Sequence, residues 1–301
     1  MVLRLGVRLG PARTPLEDFS VVRYNNQWLT FATTASPSGW GLVQFSFDDW
    51  SQAASAPHTY LDTSPMGSGY RAAPQVFYSA PQDLWYMVYQ TGPPTYSTST
   101  NPADPRSWSA PRLLMSEEPQ IVKDNKGDGT WIDFWVICDT TDFHLFFRDD
   151  NGHIYRARTS LGNFVYKVAG SGQYLLLQEA ISNPSGRRYF RSFTSTSLTG
   201  GWSPLAATEE EPFASRKNVS FPGGVWTEDI SHGEMVRAGN DQTLTIDPCR
   251  MQYVYQGIDP RAETDYMAAL AHGPAHPNRL HLLTARSSII HRAGGHTRPS
   301  G

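Results

Sequence analysis

One pattern recurs five times along the chain: an extended segment, a short polar turn, and a dense aromatic or aliphatic strand. The strands are rich in Val, Tyr, Phe, Trp and Ile, and the turns contain Asn, Asp, Gly or Pro. Each unit therefore predicts an antiparallel hairpin, and several gain a third strand. The five units include the stretches LEDFSVV, RAAPQVF, WIDFWVI, NFVYKVA and DISHGEM. Five similar all-β units predict a five-bladed β-propeller rather than a sandwich.

The fourth unit is shorter than the others. Only 29 residues separate Leu145 from Tyr174, whereas the other neighbouring markers stand 57, 60 and 79 residues apart. The five markers of the second strand are Trp28, Trp85, Leu145, Tyr174 and Tyr253. Because a blade needs about 40–50 residues, the joint before Val165 lacks about two dozen residues. The predicted fold is all-β, a five-bladed propeller with the fourth blade truncated.

Composition excludes several classes of function. The net charge of −3 and the absence of a basic tract argue against a nucleic-acid-binding surface. No run of apolar residues approaches the ~20 that cross a membrane. Nine Trp, fourteen Tyr and fourteen Phe with 18% charged residues are typical of a secreted β protein that handles carbohydrate.

Two cysteines, Cys138 and Cys249, exclude a disulfide scaffold and a CxxC metal site. A single bridge between them and two free thiols both remain open at this stage. The first residues carry Arg4, Arg8 and Arg13, which interrupt any apolar core and do not fit a signal peptide.

In a propeller the first strand of each blade lines a central channel, so polar residues at those strand starts converge. A carboxylate among strong strand formers costs free energy unless it is paired or used. Asp18 could instead end a turn, and His232 could be a core histidine. The aspartates in KDNKGDGT and RDDNGH are interpreted as turn formers. The polar candidates at strand starts are Glu17, Asp18, Arg71, Gln75, Asp133, Asp229, His232 and Glu234.

Two or three carboxylates around an aromatic-lined channel suit glycoside hydrolysis. One acid protonates the leaving oxygen, and another activates water or attacks the sugar. Trp and Tyr faces stack on sugar rings and provide a substrate surface.

At these residues the chain resembles glycoside hydrolase family 62. The resemblance runs from about Leu16 to Tyr266 and implies an α-L-arabinofuranosidase that removes arabinose side chains from arabinoxylan by inversion. It further implies a propeller, a calcium ion near the channel axis, secretion and a monomer. The stretches that carry it include LEDFSVVRYNNQW, WIDFWVICD, GRRYFRSFTSTSLTGGWSPL, DISHGEM and DQTLTIDPCRMQYVYQGIDP.

The resemblance assigns roles by position. Asp18 matches the general base, and Glu17 stands where the family's Lys-Asp-Phe motif has a lysine that holds the arabinose. Asp133 matches the carboxylate that positions the sugar and tunes the acid. His232 matches an imidazole that faces calcium, an unusual partner for a hard cation. Tyr266 in DYMAAL matches a late tyrosine of the arabinose pocket.

The general acid has no counterpart. In the family it is a glutamate in a Leu-Phe-Glu motif a few residues before Val-Tyr-Lys-Val. Here Val165–Val168 follows Leu161–Phe164 directly, and none of those four preceding residues can donate a proton. General acid assistance contributes ~10²–10⁴ in rate. As substitutes, Glu179 is expected to lie away from the channel, and Glu234 is expected to serve the calcium site.

These observations predict three segments: residues 1–15 unstructured or mis-assigned, 16–270 the propeller, and 271–301 a divergent, disordered tail. Misplaced exon boundaries would explain the unusual start, the short joint and the divergent end, and a natural deletion is the alternative. The main hypothesis is an arabinofuranosidase impaired by loss of its acid. The alternatives are a non-catalytic arabinoxylan-binding protein and a related hydrolase acting on arabinan or xylosides.

Overall fold

The computed structural model describes residues 3–8, 16–36, 39–139, 142–158, 165–221, 224–257 and 281–285. These residues form twenty strands, one α-helix (α1, Gln120–Asn125) and three 3-10 helices at Trp50–Ser55, Leu61–Thr63 and Pro105–Ser107. Within these ranges no helix is long and apolar enough to cross a membrane.

The strands form five sheets in chain order. Strand β1 (Leu3–Arg8) belongs to the last of them. The first sheet contains β2 (Leu16–Tyr24), β3 (Gln27–Ser36), β4 (Gly39–Phe47) and β5 (Thr59–Tyr60). The second contains β6 (Ala72–Ser79), β7 (Leu84–Gln90), β8 (Pro94–Ser99) and β9 (Arg112–Leu113). The third contains β10 (Ile132–Cys138), β11 (Phe143–Arg148) and β12 (Ile154–Arg158).

The remaining two sheets follow the same order. The fourth contains β13 (Val165–Val168), β14 (Gln173–Ile181), β15 (Arg188–Ser195) and β16 (Ser203–Ala206). The fifth contains β17 (Val219–Ser220), β18 (Ser231–Met235), β19 (Gln252–Gln256) and β20 (His281–Ala285), together with β1. Strands β2, β6, β10, β13 and β18 each lie at one edge of their sheet and are called the inner strands.

Hydrogen bonds between inner strands link neighbouring sheets, including the last sheet to the first. At four junctions a side chain of one inner strand accepts a bond from a backbone N–H of the next. The pairs are Ser20 with Val76 (2.8 Å), Gln75 with Val136 (2.6 Å), Tyr166 with Met235 (3.1 Å) and Glu234 with Val21 (2.6 Å). The last pair joins the fifth sheet to the first. The predicted all-β propeller is confirmed.

Four inner strands carry a β-bulge near their start. The register shifts lie between Glu17 and Ser20, Ala72 and Gln75, Ile132 and Trp135, and Ser231 and Gly233. Asp18 and Asp133 sit in two of these bulges with φ of 50° and 59°. Asp tolerates the left-handed region better than most residues. Because a bulge redirects a side chain out of the regular alternation, these positions can face a common site.

The fourth sheet has a short inner strand. Strand β13 pairs with β14 only from Val165–Leu176 to Val168–Gln173, whereas β14 pairs with β15 as far as Ile181. Within the described residues, the part of β14 from Leu177 to Ile181 therefore has no partner on its inner side.

The core lies within and between the sheets and is strongly aromatic. Trp108, Trp135 and Tyr89 are among its largest fully buried side chains. Cys138 is buried and Cys249 is exposed, and both are free, so the choice left open by the sequence resolves to two thiols.

Two strands lie in the segments that the sequence analysis expects to be unstructured. Strand β1 pairs with β17 and with β20, and β20 pairs with β19. The sequence LRLGVR alternates apolar and other residues, and HLLTA is rich in strand formers. For these two strands the expectation of unstructured ends is wrong.

Candidate active site

A cleft of about 740 Å³ opens where the inner strands begin. Asp18, Asp133 and His232 from three different inner strands line it. Glu17 lines the same cleft and is 6% exposed. Tyr266 lies outside the described residues. The structure thus brings together four of the five site residues predicted from the sequence.

Asp18 is held by polar contacts from two neighbouring strands. Its Oδ2 accepts a hydrogen bond from the Thr33 hydroxyl at 2.9 Å, and its backbone N–H donates to Gln256 Oε1 at 3.0 Å. Burial raises the pKa of Asp18 above its ordinary 3.8, against the opposing effect of His232. A carboxylate of raised pKa is a stronger base than an ordinary aspartate.

Asp133 is paired with Arg148, which reaches it from strand β11 through its Nε. Burial alone would raise the pKa of Asp133, but the Arg148 guanidinium and the His232 imidazole lower it to about 2. Asp133 is therefore ionised at neutral pH and is unsuited to donate a proton.

His232 lies between the carboxylates. Its Nε2 is 3.8 Å from Asp18 Oδ1 and 3.6 Å from Asp133 Oδ2, and its Nδ1 is 2.7 Å from Glu179 Oε2. Burial lowers the pKa of His232, but Glu179, Asp18 and Asp133 outweigh that effect and raise it well above 6.5. The imidazolium consequently neutralises part of the negative charge that the three acids bring together.

Glu179 is a member of the site, and the expectation that it lies away from the channel is wrong. It lines the cleft from strand β14, and its side chain is only 5% exposed. Besides His232, it contacts Arg188 Nη1 at 3.0 Å and accepts a bond from Ser231 Oγ at 2.8 Å. Burial raises its pKa, but His232 and Arg188 outweigh that effect and lower it, so Glu179 is ionised. In the described part of the chain, β13 pairs with β14 no further than Leu176, which leaves Glu179 without an inner neighbour there.

Glu234 belongs to the core rather than to the cleft. Its Oε2 accepts from Val21 N, and its Oε1 lies 3.0 Å from Arg237 Nη2. Although Glu234 lies two residues after His232, the two side chains do not share a face, because the bulge between Ser231 and Gly233 breaks the alternation.

The other strand-start candidates have structural partners. Asp229 Oδ1 accepts a bond from Arg188 N at 2.9 Å, and Gln75 bonds to Val136 N and O. Arg71 donates to the carbonyls of Met66 and Gly69.

Three further cleft residues were not singled out from the sequence. Trp40 and Tyr70 bring aromatic surface to the cleft, and Asp150 lies 3.2 Å from Arg148 Nη2. The sequence RDDNGH predicts only a turn at Asp150. The one sequence feature that indicates a place in the cleft is its position directly after β11, since that strand also carries Arg148 to the site.

The described residues do not form a preorganised calcium-binding site. Calcium takes six to eight oxygen ligands, and in the described part of the chain no group of three or more His, Cys, Asp or Glu side chains could hold a metal ion. The imidazole of His232 instead faces carboxylates on both sides.

The family model described as glycosyl hydrolase family 62 matches residues 10–165 and 163–276. The two stretches meet at residues 163–165, at the joint before Val165. The chain is 37% identical over 280 residues to alpha-L-arabinofuranosidase C of Cellvibrio japonicus (strain Ueda107), covering 84% of this chain and 43% of that protein. It therefore spans less than half the length of this curated relative.

Two solved structures are similar over nearly their whole length. The catalytic domain of a Coprinopsis cinerea α-L-arabinofuranosidase of the family aligns with a TM-score of 0.85 and 47% identity, covering 94% of this chain and 97% of that one. A hydrolase of the family in complex with xylotriose aligns with a TM-score of 0.84 and 41% identity, covering 93% and 97%. The chain belongs to glycoside hydrolase family 62.

Proposed function

We propose that this chain carries the catalytic domain of an α-L-arabinofuranosidase that removes arabinofuranose side chains from arabinoxylan with inversion. The observation that carries the proposal is the convergence of Asp18 and Asp133, from different sheets, on one nitrogen of His232 within a single cleft. Family membership supports the reaction, and the xylotriose bound to a solved relative supports a xylan backbone as the carrier of the side chain.

Asp18 accepts the proton of the attacking water. Its raised pKa supports this role, because a general base needs a pKa closer to the operating pH than an ordinary aspartate has. Asp133, fixed by Arg148, stays ionised and stabilises positive charge that develops on the furanose ring. In an inverting enzyme the acid and the base stand ~6.5–9.5 Å apart, which leaves room for the water.

The proton donor is the part that this chain lacks. We interpret the five sheets as five blades, with the fourth truncated at its inner strand. The short pairing of β13 and the division of the family match at residues 163–165 both support this interpretation. Glu179 stands in the cleft, but its ion pairs with His232 and Arg188 hold it ionised. We therefore expect slow hydrolysis of arabinoxylan, whose leaving group is a poorly acidic sugar hydroxyl.

The second candidate is an arabinoxylan-binding protein without turnover. The observation that favours it is that ion pairs with Arg148 and His232 hold Asp133 and Glu179 ionised, so that neither can act as a donor. Arabinoxylan affinity that Asp18→Asn leaves unchanged, together with no arabinose release from any substrate, would favour this candidate.

Calcium, secretion and a monomeric state stand as further proposals. Because no metal-binding cluster occurs among the described residues, we propose that calcium binds weakly beside His232 with water as most of its ligands. Titration calorimetry with calcium chloride tests this, and submicromolar affinity would contradict it. Size-exclusion chromatography with light scattering tests the monomer, and detection of the protein in culture medium tests secretion.

The proposed function is tested by restoring the missing segment. We would insert the corresponding segment of the Coprinopsis cinerea relative between Phe164 and Val165 and measure arabinose release from wheat arabinoxylan. The expected result is a gain of ~10²–10⁴ in rate, with NMR showing the inverted anomer as the first product. The matched control carries glutamine in place of the inserted glutamate. Equal rates for the insertion, its control and the unmodified chain would contradict the proposal.

A further inference from the structure

A second cavity, of about 50 Å³, adjoins the cleft beside strand β14. Among the described residues, its apolar wall contains Leu176, Leu177 and Phe190, and its polar wall contains Asp133, Arg148 and His232. The cavity begins where the pairing of β13 ends, since Leu176 is the last residue of β14 that has an inner partner in the described part of the chain. It therefore lies beside the part of β14 that has no inner partner among the described residues.

The charges around this cavity are nearly balanced. Arg148 pairs with Asp133, and His232 lies 2.7 Å from Glu179. An additional bare anion would upset this balance in a poorly hydrated site. A small neutral molecule that both donates and accepts hydrogen bonds would not, because it could donate to a carboxylate and accept from Arg148 or His232.

The size of the cavity limits what can enter. A space of ~10–15 Å³ holds one water, so about 50 Å³ accommodates a group of a few heavy atoms. The apolar wall favours a guest with one hydrogen-bonding end and one small apolar end. A carboxylic acid of one or two carbons has both properties, whereas a branched acid is too bulky.

We propose that this cavity binds a small monocarboxylic acid, formic or acetic acid, and that the bound acid serves as the proton donor that the chain itself lacks. The inference rests on the proposed function. The acid O–H protonates the glycosidic oxygen as the bond from that oxygen to the anomeric carbon breaks. Water attacks the opposite face of the same carbon and gives its proton to Asp18. The carboxylate left behind exchanges with solvent, where it is protonated again.

Binding is tested first without reference to activity. Line broadening of the acetate methyl signal at about pH 5, close to an ordinary carboxyl pKa, reports binding to the unmodified chain. We expect saturable binding of acetate and none of trimethylacetate, which has similar acidity but greater bulk. Leu177→Phe, which fills the cavity, should abolish it. Phe190→Leu enlarges the cavity and should admit butyrate, so one variant remains informative if the other misfolds. Non-saturable broadening, or binding of trimethylacetate equal to that of acetate, would contradict the proposed binding site.

Kinetics test the donor role. At constant ionic strength, acetate should raise arabinose release from arabinoxylan about tenfold or more, a modest part of full acid catalysis, in proportion to the protonated acid. The ratio of rates with and without acetate should return to one in Leu177→Phe. Hydrolysis of 4-nitrophenyl α-L-arabinofuranoside, whose leaving group needs no proton, should not respond. If this substrate is hydrolysed but acetate has no effect on arabinoxylan hydrolysis, the donor role of the bound acid is contradicted and the proposed function is not. No turnover of either substrate contradicts the proposed function as well as the donor.

Discussion

The Nδ1 atom of His232 lies 2.7 Å from Oε2 of Glu179, so the imidazole is held from one side while its Nε2 faces Asp18 and Asp133. A partner on one ring nitrogen fixes the orientation and the protonation of the other. Glu179 thus positions His232, and His232 in turn neutralises the carboxylates that would otherwise repel each other. The arrangement links strand β14 of the fourth sheet to the inner strand of the fifth.

Replacing Glu179 by alanine should destabilise the protein strongly. The change leaves the His232 imidazolium and the Arg188 guanidinium without their buried partner. Removal of one member of a buried ion pair costs about 3–5 kcal/mol. Urea unfolding measures the change in the free energy of unfolding.

The matched control for this change is Glu118→Ala. Glu118 pairs with Lys126 at 2.9 Å, but both side chains are partly exposed, at 18% and 29%. Such a pair contributes about 0–1 kcal/mol. Equal losses in the two variants would show that Glu179 has no special structural role.

Asp18→Asn should remove the base without unfolding the protein. With 4-nitrophenyl α-L-arabinofuranoside we expect kcat/KM to fall by ~10²–10⁴, because the attacking water loses its proton acceptor. The unfolding midpoint should not drop, since a buried carboxylate of raised pKa carries a desolvation cost that asparagine avoids. Asp62→Asn, at an exposed position, should leave both quantities unchanged. Full activity of Asp18→Asn would exclude Asp18 as the base.

Gly233→Ala should disturb the bulge that presents His232. A Cβ at this position would lie 1.9 Å from the Val254 carbonyl oxygen on the neighbouring strand. We expect a loss of about 1–3 kcal/mol, as for other overpacked sites, together with lower activity. Gly41→Ala is the control, since nothing lies within 4 Å of its added Cβ. Thermal unfolding of both variants tests this, and a Gly233→Ala protein as stable as Gly41→Ala would contradict it.

Asp149→Asn should destabilise the protein at neutral pH and much less in acid. Asp149 accepts bonds from Asn151 N, His153 N, His153 Nδ1 and Tyr155 OH at 2.7–3.1 Å. Burial raises its pKa, but these hydrogen bonds outweigh that effect and lower it below 3.8. A lowered pKa in the folded state means that the stabilisation is complete above the unfolded value and disappears as pH falls through the folded one.

The difference in unfolding free energy between wild type and Asp149→Asn should therefore be about 1–3 kcal/mol at neutral pH. It should shrink as the pH falls below about 4, because the carboxylate becomes protonated first in the unfolded state and then, at lower pH, in the folded state. Urea titrations across this pH range measure it. A difference that is constant with pH would contradict the assigned cause.

Much of the site could be predicted from the sequence because the inner strands have a recognisable signature. Asp18 and Asp133 stand among strong strand formers, and a carboxylate there requires a partner or a function. In the structure both lie in the cleft beside His232. The all-β propeller followed from the five repeats.

The positions of Glu179 and Glu234 could not be predicted because both depend on tertiary effects. Alternation along a strand shows which face a residue occupies but not whether the neighbouring strand covers it. Glu179 enters the cleft where the paired part of β13 ends, and Glu234 turns to Arg237 because of a bulge. The stretch LLLQEAI offered the same signal that selected Asp133, a carboxylate among strand formers.

The most direct test of the central claim, a site with a base but no proton donor of its own, is the dependence of kcat/KM on the leaving group. A series of aryl α-L-arabinofuranosides with phenols of different acidity would be compared with arabinoxylan in a buffer free of small carboxylic acids. The account predicts a steep fall in kcat/KM as the leaving phenol becomes less acidic, with arabinoxylan slowest. Rates that are independent of the leaving group, together with rapid arabinose release from arabinoxylan, would contradict it.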